Sequence, residues 1–410
     1  MNNYGAVIRA KRKHMALSQK QVCHGICAVS HLSKIETGDV ELTDEIKSLL
    51  MKRLDLSEKE PIREKDCYDL HNFHELIMSM DRFMAFDTYD RLIKRQSLLK
   101  FSKYHIAFYL MVYGYYVISK RPFYKKALAA KAYLEDLSNH LNDEQMYSFR
   151  LYNGLSELSA DRLSGIHLLE DLLKMKSKGY VNFQLMCLNT GMKKYHHALK
   201  YAEDAVASFL NEGCMRGIVS TVHYVGTVYV AMGDYDMAET YYKNAIKLSE
   251  SCQSSDDYIR SYMFFGYSNL GEISMRNNQL ADMLKYAELA IEHAESIDKK
   301  LYGVLPYFQK AYVLSFKNMD LARKTLNEGY LKLHLSKTQD KALEDVYYSK
   351  YDYMIHHRDY IKDEAYKVIL LKAESVALNY QLNHMLHEIH DELKLHYTSN
   401  RQYKKAMEIG

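Results

Sequence analysis

The chain has 410 residues, 48% of them hydrophobic, with 55 basic against 52 acidic side chains. That length suits two or three domains, or one small domain followed by a repeat array. A formal charge of +3 excludes a polybasic nucleic-acid coat; three prolines, 17 glycines and no tryptophan, beside abundant Leu, Ala, Lys, Glu and Met, argue for an all-helical protein.

Charge is uneven along the chain. Residues 1–38 carry Arg9, Lys11, Arg12, Lys13, Lys20 and Lys34 against one acid, Glu36. Such a patch suits a phosphate backbone, or is simply a solvated helix face. Tyr4 to Met15 predicts a first helix with Val7, Ile8 and Met15 as its apolar set. Ser18 with Gln21 three residues on forms a capping box for a short second helix ending near His24, and Leu17 with Val22 fits a hydrophobic staple. Gly25 supplies a turn at positive φ, and Ile26 plugs the core. A third helix runs from about Ala28 to Thr37, with Leu32 and Ile35 inward and Gly38 as its left-handed stop. Two short helices around a glycine turn are the helix-turn-helix plan. Val40 to Leu56 predicts one or two closing helices. Ser57 to Asp66, polar and holding Pro61, reads as a linker. The boundaries are therefore 1–60 for the small domain, 61–70 for the linker and 71–410 for the remainder.

From Cys67 onward the pattern is continuous amphipathic helix with an internal repeat. Its clearest copy is HYVGTVYVAMGDYDMAETYYKNAIKL, residues 223–248. Gly226 and Tyr229 fall in a first helix, Gly233, Asp234 and Tyr235 at the turn, and Ala238, Tyr241 and Ala245 in a second. Small residues let paired helices approach and tyrosines fill the gaps between pairs. Further anchors are Tyr124–Ala127, Leu163–Ile166, Tyr195–Ala198, Met283, Met319–Ala322, Ala365 and Tyr403–Ala406. The inner face of such an array comes largely from the first helix of each pair. The aligned positions are Gln184, Tyr224, Asn269 and Phe308, with Asn153 and Asn189 as neighbours. Their amides and rings suit an extended peptide, or pair with helix ends and water.

The remaining chemistry is sparse. Six cysteines contain no CxxC pair, and neither a signal-type start nor an apolar run of 18 residues is present, so the expectation is a cytoplasmic protein with reduced thiols. Cys23 and Cys27 read as small buried apolar residues before a redox or metal pair. His384, His387 and His390 lie with Glu388 and Asp391 near one helix face. A metal site there is conceivable, but a solvated or interface face is the plainer reading. No phosphate-binding loop and no nucleophile with a base at recognisable spacing occurs, so neither an enzyme nor a cofactor is expected.

Residues 1–55, through IRAKRKHMALSQKQV, GICAVSHLSKIETG and EIKSLLMKRLDL, closely resemble the Xre/lambda-repressor-type helix-turn-helix family, and residues 223–248 resemble a tetratricopeptide unit. The combination looks like the RRNPP peptide-pheromone receptors, of the NprR/PlcR or phage arbitrium-receptor kind. The resemblance implies an all-α fold, a helix-turn-helix domain followed by a tetratricopeptide-like right-handed superhelix. It implies that Arg12 pairs with Glu36, that Gln19 touches a phosphate, and that Val29, Ser30, His31, Ser33 and Lys34 meet base edges. Ser30 and His31 can exchange hydrogen bonds with a base, and Lys34 can reach a guanine or a phosphate. Lys11 and Lys13 would clamp the backbone. It further implies a cytoplasmic homodimer on a double-stranded operator, an inverted repeat, switched by a short signalling peptide in the repeat groove, with no metal, cofactor or membrane. The alternative is a repeat scaffold that binds and inhibits a protein partner, with DNA binding secondary.

Overall fold

The computed structural model describes residues 4–56, 62–252, 256–297, 304–335, 341–379 and 383–409, without the side chains of 333–335, 341–344, 383–385 and 387. Among the described residues there is no strand. The chain divides into two units, residues 1–185 with 207–217, and residues 186–206 with 218–410.

The first unit opens with four short helices, α1 (Tyr4–His14), α2 (Gln19–Cys23), α3 (Val29–Thr37) and α4 (Asp44–Arg53). The Ser18 hydroxyl accepts from the Gln21 N–H, and the Gln21 side chain accepts from the Ser18 N–H, so the reciprocal cap is present. Thr43 caps α4, whose first turn carries Asp44 and Glu45, acids placed where the helix dipole favours them. Gly25 and Gly38 hold φ of 74° and 82°, a region closed to most side chains. Val7, Ile8, Val22, Leu32 and Leu50 are fully buried together, with Leu17 and Ile26 against them. Met15 does not join them. The helix stops at His14, Ala16 turns at φ 54°, and Met15 is exposed.

The next helix, α5 (Glu64–Met78), begins inside the stretch read as linker; residues 57–61 lie outside the described ones. Arg63, Glu64 and Lys65 are exposed there, but the acid that follows them is not solvated. Asp66 is fully buried and held by Arg63 at 2.9 Å and by Arg95. The chain continues as α6 (Arg82–Leu92), α7 (Gln96–Leu99), α8 (His105–Ile118), α9 (Lys125–Asp136), α10 (Asp143–Glu157), α11 (Arg162–Met175), α12 (Gly179–Gly191) and α13 (Tyr195–Asn211). Then come α14 (Met215–Met232), α15 (Tyr235–Ser251), α16 (Asp257–Arg276), α17 (Leu280–Glu295), α18 (Val304–Leu314), α19 (Met319–Leu335), α20 (Lys341–His356), α21 (Glu364–Asn379), α22 (Asn383–Ser399) and α23 (Tyr403–Glu408).

Neighbouring helices pair through short turns, and many of those turns pivot on one residue at positive φ: Met80, Lys120, Lys193, Gly233, Asn278 and Arg401. Glycine holds such a turn only at Gly233 and, between α13 and α14, at Gly213, so a search for glycine finds two turns and misses their equivalents. In four successive pairs the second helix repeats a buried residue at its fourth position, Ala198, Ala238, Met283 and Ala322, each fully buried. These are the anchors expected from the sequence. Two expectations shift by one residue. Ala365 is exposed and Tyr366 is the buried one. Likewise Tyr242 rather than Tyr241 fills the pair interior, while Tyr241 stacks on Tyr229 with centroids 5.3 Å apart.

A Cβ on Gly226 would stand 2.7 Å from the Tyr242 ring. Gly226→Ala should therefore destabilise the second unit by about 1–3 kcal/mol through overpacking, read as a lowered urea midpoint. An unchanged midpoint would show that the pair can open without cost.

Candidate functional site

The N-terminal module is built on a buried ion pair. Glu36, 2% exposed, accepts from Arg12 Nε at 2.6 Å and Nη2 at 2.7 Å. Arg12 Nη1 also donates to the Leu17 carbonyl at 3.0 Å, tying α1 to the entry of α2. The hydrogen bond to Glu36 raises the Arg12 pKa against the opposing effect of burial. Gln19 opens α2 and donates to Glu36 Oε2 at 2.9 Å, so its amide is oriented by that carboxylate. From α4, Arg53 donates to the carbonyls of Val22, at 3.1 Å, and His24. That tie was not foreseen in the sequence, where Arg53 is one cation among several near a helix end.

With its acid neutralised inside, α3 presents an outer face. Val29, Ser30 and Lys34 are exposed, His31 and Ser33 half-buried. Among the described residues the side chains of Ser30, His31 and Lys34 make no hydrogen bond or ion pair, although the Thr37 hydroxyl donates to the Lys34 carbonyl at 3.1 Å. Lys11 and Lys13 stand elsewhere: Lys11 lies 4.7 Å over the Phe101 ring and Lys13 pairs with Asp136 at 3.2 Å, alongside Arg9 at 2.8 Å. The positions expected to clamp a backbone are engaged by the first repeats.

The second unit holds a cavity of about 510 Å³ between the first helices of successive pairs. Glu272 and Arg276 of α16, Phe308 of α18, Tyr347, Lys350 and Tyr351 of α20, and Glu388 and Glu392 of α22 line it. Phe308 stacks on Tyr351, centroids 4.2 Å apart. Lys350 is buried, with Nζ 2.7 Å from Glu388 and 2.6 Å from Glu392, and Tyr366 donates to Glu392 at 2.6 Å. Burial alone would lower the Lys350 pKa; the two carboxylates outweigh it and hold the ammonium well above the usual lysine range. The sequence signal for this site was a lysine inside a tyrosine-rich helix, YYSKYDY, facing an acidic pair four apart.

Of the expected groove residues, Phe308 lines this cavity. Asn269 donates to His223 Nε2 at 3.3 Å. Tyr224 is exposed and Asn189 buried. In the first unit, Asn153 accepts from the Tyr113 hydroxyl at 2.9 Å, and Gln184 is half-buried. In the HMLHEIH stretch, Glu388 goes to Lys350 and His390 to Glu374 at 2.8 Å; the side chains of His384 and His387 lie outside the described residues.

No family model matches the chain, and no curated protein matches it in sequence. Solved structures do match. The apo quorum sensor NprR from B. thuringiensis aligns over 84% of this chain and 97% of its own, with TM-score 0.54 and 17% identity. A Rap protein complexed with competence and sporulation factor aligns over 85% and 96%, with TM-score 0.56 and 13% identity. Aspartyl phosphate phosphatase F from Bacillus subtilis aligns over 85% and 94%, with TM-score 0.52 and 15% identity. The chain has the all-α, tetratricopeptide-like fold of NprR and the Rap proteins. At these identities the likeness is one of fold. No helix among the described residues is long and apolar enough to cross a membrane.

Two outcomes follow from the buried charges. Burial pushes His223 down to about 3, while the unfolded chain takes up that proton near pH 6.5. Stability should fall as pH drops through that window, with a limiting slope of about 1.4 kcal/mol per pH unit. His223→Gln keeps an acceptor for Asn269 and should flatten urea-denaturation midpoints against pH relative to the unsubstituted chain. Lys350→Met leaves two carboxylates without a counter-charge and should destabilise by about 3 kcal/mol; adding Glu388→Gln and Glu392→Gln should recover most of that in the same measurement.

Proposed function

We propose that this chain is a peptide-responsive DNA-binding regulator of transcription, of the RRNPP quorum-sensing kind. The observation that carries the reading is the outer face of α3: the side chains of Ser30, His31 and Lys34 are unengaged, while the neighbouring Glu36 is neutralised within the module by Arg12 and hydrogen-bonded by Gln19. A carboxylate so held does not repel phosphate, and the remaining side chains are donors. Ser30 and Lys34 read bases, with Val29, His31 and Ser33 beside them and Gln19 at the backbone. Lys11 and Lys13 keep a backbone role only where they leave Phe101 and Asp136.

Two copies of the chain, as a homodimer, place two such modules on the half-sites of an inverted repeat. A short peptide laid along the inner helices of the second unit meets the Phe308 and Tyr351 rings and the carboxylates of Glu272 and Glu388. Asn269 and Tyr224 lie on neighbouring first helices, as Asn189 does on its own, and Asn153 and Gln184 serve the corresponding face of the first unit. Peptide that favours one conformation of the repeats shifts half-site spacing and so operator affinity. The fold is shared with a Rap protein and an aspartyl phosphate phosphatase, which supports a second reading: a scaffold that binds and inhibits a protein partner. The unengaged α3 face favours DNA.

Selection of duplexes from a randomised pool by the purified chain should yield an inverted repeat. Ser30→Ala with Lys34→Ala should then lower affinity for it by about 1–3 kcal/mol per lost base contact, with the helical circular-dichroism signal unchanged. Failure to enrich any sequence would overturn DNA recognition and leave the partner-scaffold reading.

A further inference from the structure

The helix α1 packs toward α9 and the segment after α7 across a cleft of about 250 Å³. Arg9, Lys13, Lys100 and Asp136 line it with the rings of Phe101, Tyr109 and Tyr133. Its charge does not balance. Asp136 is the one carboxylate in the lining, and two cations share it, Arg9 at 2.8 Å and Lys13 at 3.2 Å. Lys100 stands 5.2 Å from the Phe101 ring centroid with no carboxylate in ion-pair reach among the described residues. Three cations thus face one anion around a concave space.

Aromatic side chains line its walls. Tyr109 and Tyr133 lie with centroids 4.0 Å apart, and the Tyr133 hydroxyl is held to His105 Nδ1 at 2.8 Å. Phe101 carries Lys11 over its ring at 4.7 Å. A planar ring entering beside these side chains would have the guanidinium of Arg9 and the ammonium of Lys100 within the same lining. A guanidinium fork matches phosphate in two hydrogen bonds, and an ammonium adds a compact charge. The volume lies just below the usual range of ligand sites, which limits an occupant to a single ring with its phosphate and excludes a dinucleotide.

We propose that this cleft binds a small aromatic dianion, a planar ring bearing a phosphate group, such as an aryl phosphate or a mononucleotide. The two negative charges match the excess of the lining, and the ring takes the aromatic walls. The occupant touches α1 on one side and α9 on the other. Binding only when the two are together, it stabilises that docked arrangement by mass action.

The test uses the full chain with four probes: adenosine 5′-monophosphate, phenyl phosphate, inorganic phosphate and adenosine. Calorimetry should show both aromatic phosphates binding, inorganic phosphate weaker by roughly tenfold or more, and adenosine giving no heat, since ring and charge each contribute. Saturation should slow amide exchange in α1 and α9. Lys100→Glu should weaken both aromatic phosphates by roughly tenfold or more; Lys100→Met and Tyr109→Leu provide the same reading should the charge reversal disturb folding. The proposal is overturned if neither aromatic phosphate binds at millimolar concentration, if inorganic phosphate binds equally well, or if the Lys100 and Tyr109 variants leave affinity unchanged. Operator selection with the Ser30 and Lys34 variants is a separate measurement, so the two readings fail separately.

Discussion

Everything beyond the N-terminal module depends on how closely two helices of a pair can approach. Gly226 leaves room for the Tyr242 ring, and a small or slender residue is buried at the fourth position of the second helix in pair after pair. Close approach sets what else can fit. A large residue then needs a glycine opposite it or a joint between pairs, and tyrosine is the commonest aromatic so placed: the chain has 37 tyrosines and no tryptophan. A buried tyrosine ring brings a hydroxyl that needs a partner. Tyr113 takes Asn153, Tyr366 takes Glu392, and Tyr258 shares a hydrogen bond with Ser220. Amides and carboxylates that look like ligand contacts in the sequence are, in part, the partners those hydroxyls require.

The same need for partners governs charge. Glu36, Asp66 and Lys350 are each buried, and each meets opposite charge at short range. An unpaired charge at any of these places would cost several kcal/mol. Pairing them inside has a functional consequence. It leaves the outer face of α3 with donors and no competing acid. It also leaves the repeat cavity with a lysine that is already committed, so the carboxylates and rings around it define what an occupant meets. At the cleft between α1 and α9 the pairing is incomplete, and the surplus of cations is what distinguishes that place from the others.

The N-terminal module was legible almost residue by residue. Capping boxes, left-handed glycines and helical apolar spacing act over a few residues, so the local sequence contains the whole argument: Ser18 with Gln21, Gly25, Gly38, and Leu32 with Ile35 all stand as expected. Met15 failed because a helix end one residue earlier turned it outward. The repeat register was legible where small residues mark it and slipped by one at Tyr242 and Tyr366, because periodicity gives a face but not which of two adjacent tyrosines points inward.

The sequence by itself therefore determined the helical class, the caps and turns of the N-terminal module, and the spacing of the helix pairs, since each follows from contacts within one or two turns; the Arg12–Glu36 brace, across 24 residues, was implied by the family resemblance alone. Only the tertiary structure decided where the long side chains end. Lys13 reaches Asp136, 123 residues away, Lys350 reaches Glu388 across 38 residues, and Asn269 turns to His223 across 46. Those choices rest on which helices lie side by side and on which buried group lacks a partner, and neither quantity is local to any stretch of the chain.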